Sequence, residues 1–172
     1  EYKFVLMSDQ DTVYPQNFIK NMYKEYLALI KKNKIAAICP QFINTRNNKT
    51  YPLIVRKNFF RIKYFNSKKI NFVTEAISSG MLMDISAIRD IGLMNESLFI
   101  DWVDFEWCWR ALNKQYKICI NNNVIIQHDL GLVNNNLLVK YPKFKFYRYY
   151  YIFRNGIYLS LYNTKIPITW RL

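Results

Sequence analysis

Short apolar segments that alternate with helical segments limit this chain to a small set of folds. Residues 3–7 form an apolar run typical of a strand covered on both faces, and the polar residues 8–12 follow it directly. Apolar side chains then recur every four residues over 15–33, which predicts a helix with one buried face. Ile35–Cys39 is typical of the next buried strand, with Pro40 as its predicted end. Strands that alternate with helices predict an α/β sandwich with a mostly parallel sheet and flanking helices.

The rest of the chain continues with shorter and less regular elements. Ile85, Ile88 and Ile91 recur at a spacing of three and predict a short helix that ends at Gly92. The other predicted elements are a hairpin within 44–71, a strand near Glu75–Met83, a helix over Asp104–Asn113, strands at Tyr116–Ile120 and Val124–Gln127 around a turn at 121–123, and a helix within Lys140–Tyr162.

The size and charge of the chain bound its class. Its 172 residues suit one domain, so we take residues 1–172 as a single domain. Lys and Arg number 25 against 12 Asp and Glu, and the net charge of +13 favours an anionic partner such as phosphate, nucleic acid or an acidic membrane surface. Three widely spaced Cys without a CxxC pair argue against a disulfide framework or a cysteine zinc site. The single His excludes a multi-histidine metal site, and no apolar run approaches the roughly 18 residues that span a bilayer.

Two carboxylates stand at the end of the first predicted strand. In extended backbone Asp9 and Asp11 project to the same side, because side chains alternate with a period of two. Carboxylate oxygens suit Mg²⁺ or Mn²⁺, and open α/β sheets bind ligands at the carboxyl ends of their strands. The alternative is a solvated turn in which Asp11 or Thr12 caps the following helix. The residues alone leave both interpretations open.

A second acidic group lies among aromatic residues at 100–107. Asp101, Asp104 and Glu106 stand there close to Trp102. Apolar surroundings disfavour ionisation of a carboxyl group and raise its basicity, which suits a general base. At the start of a helix, Asp101 and Asp104 lie near one another because they are three positions apart. The alternative is an acidic first turn that complements the helix dipole.

Two basic or ionisable groups in the last third could also bind a ligand. His128 follows an apolar strand, where it can bind a metal or a phosphate or instead be a structural histidine. Arg154-Asn155 follows a run of tyrosines, and arginine offers bidentate donors to phosphate. The alternative for Arg154 is a helical arginine that extends its charge to solvent.

Four elements therefore stand in a defined order along the chain. They are Asp9-Gln10-Asp11, Ser79-Gly80, the block LFIDWVDFEWCWRA at 98–111, and His128-Asp129-Leu130-Gly131 with Arg154-Asn155. This combination resembles the family 2 inverting glycosyltransferases of GT-A fold, and it is most similar to the bacterial rhamnosyltransferases that build cell-surface polysaccharides. The block at 98–111 is the most specific part of the resemblance.

The resemblance implies a role for each matching residue. Asp9 and Asp11 belong to a site for Mg²⁺ or Mn²⁺ and the donor diphosphate, with Asp11 as the more direct ligand. Asp104 is the base that deprotonates the acceptor hydroxyl, and Glu106 orients that base or supports the acceptor pocket. The other implicated residues are Asp101 as the next candidate for the base, His128 at the metal or diphosphate, and Ser79, Gly80, Trp102, Arg154 and Asn155 in substrate binding.

The resemblance also implies substrates and a location. The donor is a nucleotide-diphosphate sugar, carrying rhamnose or a related hexose, and the acceptor is a saccharide or a lipid-diphosphate-linked sugar. A cytoplasmic enzyme with peripheral contact to the anionic inner face of the membrane agrees with the basic charge. No specific nucleic acid is expected as a partner.

The chain departs from that family at its beginning. Members carry a nucleotide-binding βαβ half before the acidic motif, whereas this chain opens directly in Phe4–Met7. We therefore expect it to correspond to the C-terminal two-thirds of a member and to be inactive alone. A non-catalytic fragment stays open as an alternative. So does a basic nucleic-acid-binding module, which the net charge of +13 and the 17% aromatic residues favour.

Overall fold

The computed structural model describes most of the chain in atomic detail. The described residues are 2–10, 12–45, 47–58, 60–128, 132–135, 140–143 and 145–162, with backbone alone for 128, 132–135 and 140–143. The strands are β1 (Phe4–Leu6), β2 (Ile35–Asn44), β3 (Lys49–Thr50), β4 (Leu53–Lys57), β5 (Phe60–Tyr64), β6 (Ile70–Val73), β7 (Leu82–Asp84), β8 (Lys117–His128), β9 (Leu132–Asn135) and β10 (Lys140–Lys143). The helices are α1 (Phe18–Ile30), α2 (Ile85–Ile91), α3 (Val103–Asn113) and α4 (Phe146–Leu161), with a 3₁₀ turn at Glu96–Leu98.

The central sheet has the strand order β1-β7-β2-β8-β6, and β3 pairs with the end of β2. β2 and β8 form its longest ladder and run parallel, from Ile35 opposite Lys117 to Asn44 opposite His128. The pairs β1–β7, β7–β2, β2–β3 and β8–β6 are antiparallel. The α/β class with flanking helices is confirmed, and the sheet is mixed. An apolar run predicts burial on both faces but carries no information on the direction of the neighbouring strand.

Both faces of the sheet are covered because alternate residues of β2 point to opposite sides. Ile38 packs in one core with Phe18 and Met22 of α1. Cys39 packs in the other core with Trp107 of α3. A third, smaller core joins Leu98, Trp109 and Leu159, so that α3 is buried against α4 as well as against the sheet. This arrangement makes α3 the element between the sheet and α4.

Two of the predicted strand boundaries are wrong for a physical reason. β2 continues through Pro40, and the register with β8 shifts between Pro40 and Gln41, which accommodates a residue that has no N–H to donate. β8 continues through 121–123, where a turn was predicted. The Asn122 side chain donates to the Asn66 and Lys68 carbonyls, so this asparagine serves a neighbouring segment rather than a turn.

Other predicted elements are found with altered bounds. The helix predicted to end at Gly92 is confirmed as α2, which Gly92 terminates with a φ of 95°. The strand predicted near Glu75–Met83 is mostly wrong, because residues 74–81 connect β6 to β7 and only Leu82 and Met83 of the predicted range belong to a strand. The helix predicted within Lys140–Tyr162 is preceded by β10. In the described parts of the chain, no helix combines the length and the apolar character needed to cross a bilayer.

Candidate functional site

The connection between β6 and β7, residues 74–81, contacts two other segments. One is residues 8–12, which we call the acidic loop, and the other is the start of α3. The Ser79 hydroxyl lies 2.6 Å from the hydroxyl of Thr12, the residue that directly follows the acidic pair in the sequence. The backbone N–H of Ser78 donates to Oδ2 of Asp104 at 3.3 Å. Adjacent residues of one segment therefore contact both the acidic loop and Asp104. Residues 78 and 79 thus connect Thr12, which follows the first acidic motif, with Asp104 of the second motif.

Gly80 holds this connection close to the sheet. Its N–H donates to the Met7 carbonyl at 2.8 Å, which extends the pairing of β1 beyond its last residue. Its φ is +73°, and a Cβ there would lie 2.8 Å from Cγ of Pro40 and 3.3 Å from Cδ1 of Ile126. Both the backbone conformation and the close approach require glycine. The structure thus gives Gly80, a predicted substrate-binding residue, a packing role beside the site.

Asp104 lies in the first turn of α3 with its carboxylate held by backbone amides. Oδ1 accepts from the Phe105 N–H at 2.9 Å, and Oδ2 accepts from Ser78. The pKa of Asp104 is raised to about 6, mainly by burial and in smaller part by the nearby charge of Asp101, while the backbone hydrogen bonds oppose the shift. A carboxylate with this pKa is ionised at neutral pH and is more basic than an ordinary aspartate. These are the properties that a general base needs.

Arginines from the hairpin β4–β5 lie beside the same region, and the sequence interpretation did not include them. Glu75 is 3% exposed, and its two carboxylate oxygens accept from Nε of Arg56 and Nε of Arg61, each at 2.7 Å. Arg61 also stands over the ring of Phe105, 5.9 Å from its centre. Burial raises the pKa of the Tyr51 hydroxyl, Arg61 lowers it, and the charge of Asp104 raises it, which places Tyr51 near the candidate base. The sequence signal for these ion pairs is Glu75, an acidic residue in a mostly apolar segment, because a buried carboxylate needs a cationic partner.

Of the predicted metal ligands, the structure describes the side chain of Asp9 and the backbone of His128. Asp9 is exposed, and its carbonyl accepts from the Thr12 N–H at 3.3 Å in a turn. Val13 pairs antiparallel with Gln127, so the backbone of His128 lies beside this loop. Asp11 and the His128 side chain lie outside the described residues. Within the described residues, no group of three or more His, Cys, Asp or Glu could hold a metal ion. Carboxylate oxygens are the donor type that Mg²⁺ and Mn²⁺ prefer, whereas an imidazole nitrogen is more typical of Zn²⁺, Cu²⁺ or Fe²⁺.

Glu106 points away from Asp104 because residues two positions apart on a helix lie on different sides. Glu106 is 2% exposed, and its carboxylate oxygens accept from Nε of Arg110 at 2.8 and 2.9 Å. Arg110 donates in turn to the carbonyls of Ile91 and Leu93 at the end of α2. The structure places Glu106 in a buried ion pair that joins α3 to α2, rather than beside the acceptor side of Asp104.

Asp101 and Trp102 lie in the loop before α3 and contact α4. The Asp101 carboxylate accepts from Nε and Nη2 of Arg148 at 3.0 and 2.7 Å. The Trp102 indole N–H donates to the Ile152 carbonyl at 3.0 Å. Trp102 also lines an open apolar groove of about 440 Å³ with Phe153 and Ile157 of α4. Of these two residues, Trp102 is the one that faces a space in which a ligand could bind.

The side chains of Arg154 and Asn155 donate hydrogen bonds to backbone carbonyls of the loop ahead of α3. Asn155 is fully buried, and its amide donates to the carbonyls of Leu98 and Ile100, each at 2.9 Å. Arg154 donates to the Ser97 carbonyl at 2.6 Å. The pair that was predicted to contact substrate thus fixes the loop ahead of α3.

Comparison with known proteins relates the chain to a glycosyltransferase. No family model matches the chain. The chain is 30% identical over 169 residues to the dTDP-rhamnosyl transferase RfbF of Shigella flexneri. The match covers 95% of this chain and 55% of that protein, so the chain spans about half the length of the curated relative it matches. The similarity supports a glycosyltransferase relationship for this chain.

Proposed function

We propose that this chain forms the acceptor and catalytic part of an inverting glycosyltransferase of GT-A fold, with Asp104 as the general base. The observation that carries the proposal is the connection of residues 78–79. It contacts Asp104 through the Ser78 amide and the acidic loop through the Ser79 hydroxyl. The same connection then links the proposed base for the acceptor to the loop that carries the carboxylates proposed for the donor diphosphate. That loop follows the carboxyl end of β1, and open α/β sheets bind ligands at the carboxyl ends of their strands.

The proposed reaction needs one displacement at the anomeric carbon. The acceptor hydroxyl attacks from the face opposite the leaving diphosphate, and Asp104 takes its proton as the new bond forms. The configuration inverts, and no carboxylate nucleophile is required, in contrast to a retaining glycosidase. Asp9, Asp11 and His128 would hold Mg²⁺ or Mn²⁺. When bound, that ion offsets the negative charge that develops on the leaving group.

The proposed substrates follow from the relative and from the groove. The relative carries the name of a dTDP-rhamnosyl transferase, so dTDP-rhamnose is the first donor to test, and a related hexose is the next. The groove beside Trp102 is apolar and lies on the loop that leads to Asp104. It suits the apolar part of a lipid-diphosphate-linked acceptor, while a plain saccharide would leave it unfilled. Trp102 is then a substrate-binding residue.

We also propose a peripheral contact between α4 and an anionic membrane surface. Five large apolar side chains that are 58–94% exposed recur along one face of the helix: Phe146, Tyr150, Phe153, Ile157 and Leu161. The helix contains no acidic residue, and Lys145 precedes it. Aromatic and basic residues along one helix face suit the boundary between lipid headgroups and acyl chains. Arg148 contributes less to this charge than the sequence indicates, because Asp101 neutralises it.

The function is tested by sugar transfer with the full-length protein. The purified protein is incubated with dTDP-rhamnose and either a lipid-diphosphate-linked sugar or the matching free saccharide. Transfer is measured by mass spectrometry, and the anomeric configuration of the product by NMR. We expect transfer with inverted configuration and a preference for the lipid-linked acceptor. Retained configuration would overturn the role proposed for Asp104, and turnover of no nucleotide sugar would overturn the proposed function.

A further inference from the structure

The loop that leads into α3 has an unusual backbone. Phe99, Asp101 and Trp102 have φ values of 62°, 62° and 69°. This left-handed region is sparsely populated by residues with a Cβ, because the Cβ crowds the backbone. Three such residues within four positions stand immediately before the helix that carries Asp104. Surrounding contacts must hold this conformation, and the position of Asp104 depends on them.

Helix α4 supplies those contacts. The Asn155 amide donates to three carbonyls of the loop, those of Leu98, Ile100 and Asp101, at 2.9, 2.9 and 3.1 Å. Trp102, the residue just before α3, donates its indole N–H to the backbone of α4. The three bonds from Asn155 satisfy loop carbonyls that lie outside any regular strand or helix ladder.

One contact between α4 and the loop is an ion pair. Arg148 approaches Asp101 with two donors, one to each carboxylate oxygen, at 3.0 and 2.7 Å. The side chains of Arg148 and Asp101 are 34% and 16% exposed, so solvent screens the pair only in part. A two-donor contact fixes the angle of the carboxylate as well as its distance. Asp101 precedes Asp104 by three residues and lies near it.

We propose that Arg148 is a positioning residue for the reaction, acting through Asp101. Its two-donor contact fixes the loop that leads to Asp104 and partly offsets the negative charge of the carboxylate beside that base. The inference rests on the proposed function, in which Asp104 is the base. It assigns to Arg148 a part that the sequence comparison does not.

The charge of Asp101 reaches Asp104, because it raises the pKa of that base. Removing Arg148 would raise the pKa of Asp104 further, because ionising Asp104 would then place a second negative charge beside an Asp101 that has lost this partner. The other titratable or charged groups around Asp104 are Cys39 of β2, Cys108 of α3, Tyr51 ahead of β4, and Glu75 of the β6–β7 connection with its partners Arg56 of β4 and Arg61 of β5. Changes at Arg148 and Asp101 leave all of these in place.

The test is the pH dependence of kcat/KM for the full-length protein with dTDP-rhamnose and its acceptor. The acidic limb of that profile reports the pKa of the base in the free enzyme. Arg148→Met should move the limb to higher pH, and Asp101→Asn should move it to lower pH. The double variant should return it close to the position of the unaltered protein. Opposite shifts that cancel are not expected of residues that only stabilise the fold.

A conservative variant separates charge from geometry. Arg148→Lys keeps the charge but cannot present two fixed donors, so the limb should stay in place. We expect kcat to fall by up to about 100-fold, the loss a 1 Å displacement of a reacting group can cause, with the KM for the donor unchanged. Arg89→Met, on the exposed side of α2, is the control and should leave the profile unchanged. If Arg148→Met fails to fold, Arg148→Lys and Asp101→Asn still decide the outcome.

A limb that is unmoved in Asp101→Asn, or that moves the same way in both single variants, would overturn the inference. Failure of the proposed function gives a different result, because Asp104→Asn would then retain turnover. If Asp104→Asn is inactive while the limb stays fixed in the Arg148 and Asp101 variants, the function stands and the positioning role does not.

Discussion

The hydroxyl oxygens of Ser79 and Thr12 lie 2.6 Å apart, and this contact joins two segments separated by 66 intervening residues. The preceding residue, Ser78, contacts Asp104 through its backbone N–H. A displacement of the acidic loop would therefore change the position of Asp104 through these two adjacent residues.

Replacing Asp104 by Asn should abolish turnover and stabilise the protein. The variant keeps the shape of the side chain but cannot accept the proton, and a general base contributes about 10²–10⁴-fold to the rate. The pKa of Asp104 is raised from 3.8 to about 6, so the folded state binds a proton that the unfolded state releases between these values. The free energy of unfolding therefore falls as pH rises from 4 to 6, and above pH 6 the ionised carboxylate costs about 1–3 kcal/mol. Asn removes that cost.

The measurements are the transfer rate and the urea midpoint at pH 4 and pH 7. We expect the variant to be more resistant to urea than the unaltered protein at pH 7 and equal to it at pH 4. Asp90→Asn is the matched control, because Asp90 is an exposed aspartate of α2 paired with Lys114. Normal transfer by Asp104→Asn would rule out Asp104 as the base, and Asp101 would become the next candidate.

Local periodicity predicted the four helices and most of β1, β2 and β8. Short-range patterns do not contain the pairing of distant segments, and the differences arise there. Pro40 was expected to end a strand, but the register shift beside it lets β2 continue. Asn122 was expected in a turn, but its side chain bonds a segment more than fifty residues earlier. In both cases the pairing with a distant segment decides the outcome, and turn and strand-end preferences of the local sequence do not contain that pairing.

Part of the candidate site was also visible in the sequence. The acid-rich block contains Asp104, the proposed base, and its apolar neighbours predicted the rise in its pKa. Glu106 and the Arg154-Asn155 pair stand in equally distinctive motifs, yet they bond to Arg110 and to loop carbonyls. A motif shows that a residue type is needed at a position, but it does not show whether the need is chemical or structural. The ion pairs of Glu75 could not be predicted, because they join segments whose contact no periodicity encodes.

Replacing Glu106 by Gln should lower stability by about 3–5 kcal/mol, because it leaves Arg110 as a buried charge without its carboxylate partner. The urea midpoint measures the loss. The double variant Glu106→Gln with Arg110→Met should recover part of it, since the unpaired charge is then removed. In the folded fraction of the single variant, the pH profile of kcat/KM should be unchanged. A shifted acidic limb would show that Glu106 acts on the base after all.

Divalent metal should be required for donor binding by the full-length protein. EDTA should abolish binding of dTDP-rhamnose in calorimetry, and excess Mg²⁺ or Mn²⁺ should restore it, because the diphosphate needs charge compensation. Asp9→Asn and Asp11→Ala should weaken only the metal-dependent part of binding, whereas Lys68→Ala should leave it intact. Full donor affinity in EDTA would show that the acidic pair is a turn and nothing more.

Replacing Gly80 by Ala should destabilise the protein, whereas the same change at Gly156 should not. At Gly80 the φ of +73° disfavours any residue with a Cβ by about 1–2 kcal/mol, and the contact with the Pro40 ring adds to that cost. At Gly156, within α4, the new Cβ would lie 3.8 Å from Cζ2 of Trp102, an ordinary contact. Helix propensity then favours Ala by about 0.5–1 kcal/mol. Thermal melting compares the two variants, and equal loss in both would contradict the structural role of Gly80.

Binding to anionic vesicles should depend on the exposed face of α4. Phe153 and Ile157 are 68% and 58% exposed on that face. Replacing both by Gln removes apolar contact with the acyl boundary and keeps the charge of the protein, so flotation with vesicles that contain phosphatidylserine should decrease. Leu93→Gln is the control, because Leu93 is 79% exposed and lies outside α4.

High salt separates the two forces in the same experiment. Electrostatic attraction between a basic protein and anionic lipid is screened within about 10 Å at 0.1 M salt. Flotation of the unaltered protein should therefore fall with salt and be weak with neutral vesicles. Equal flotation with neutral vesicles at high salt would show that apolar insertion of α4 is sufficient for binding. Unchanged flotation of the double Gln variant on anionic vesicles would place the membrane contact elsewhere, with the basic hairpin β4–β5 as the next surface to alter.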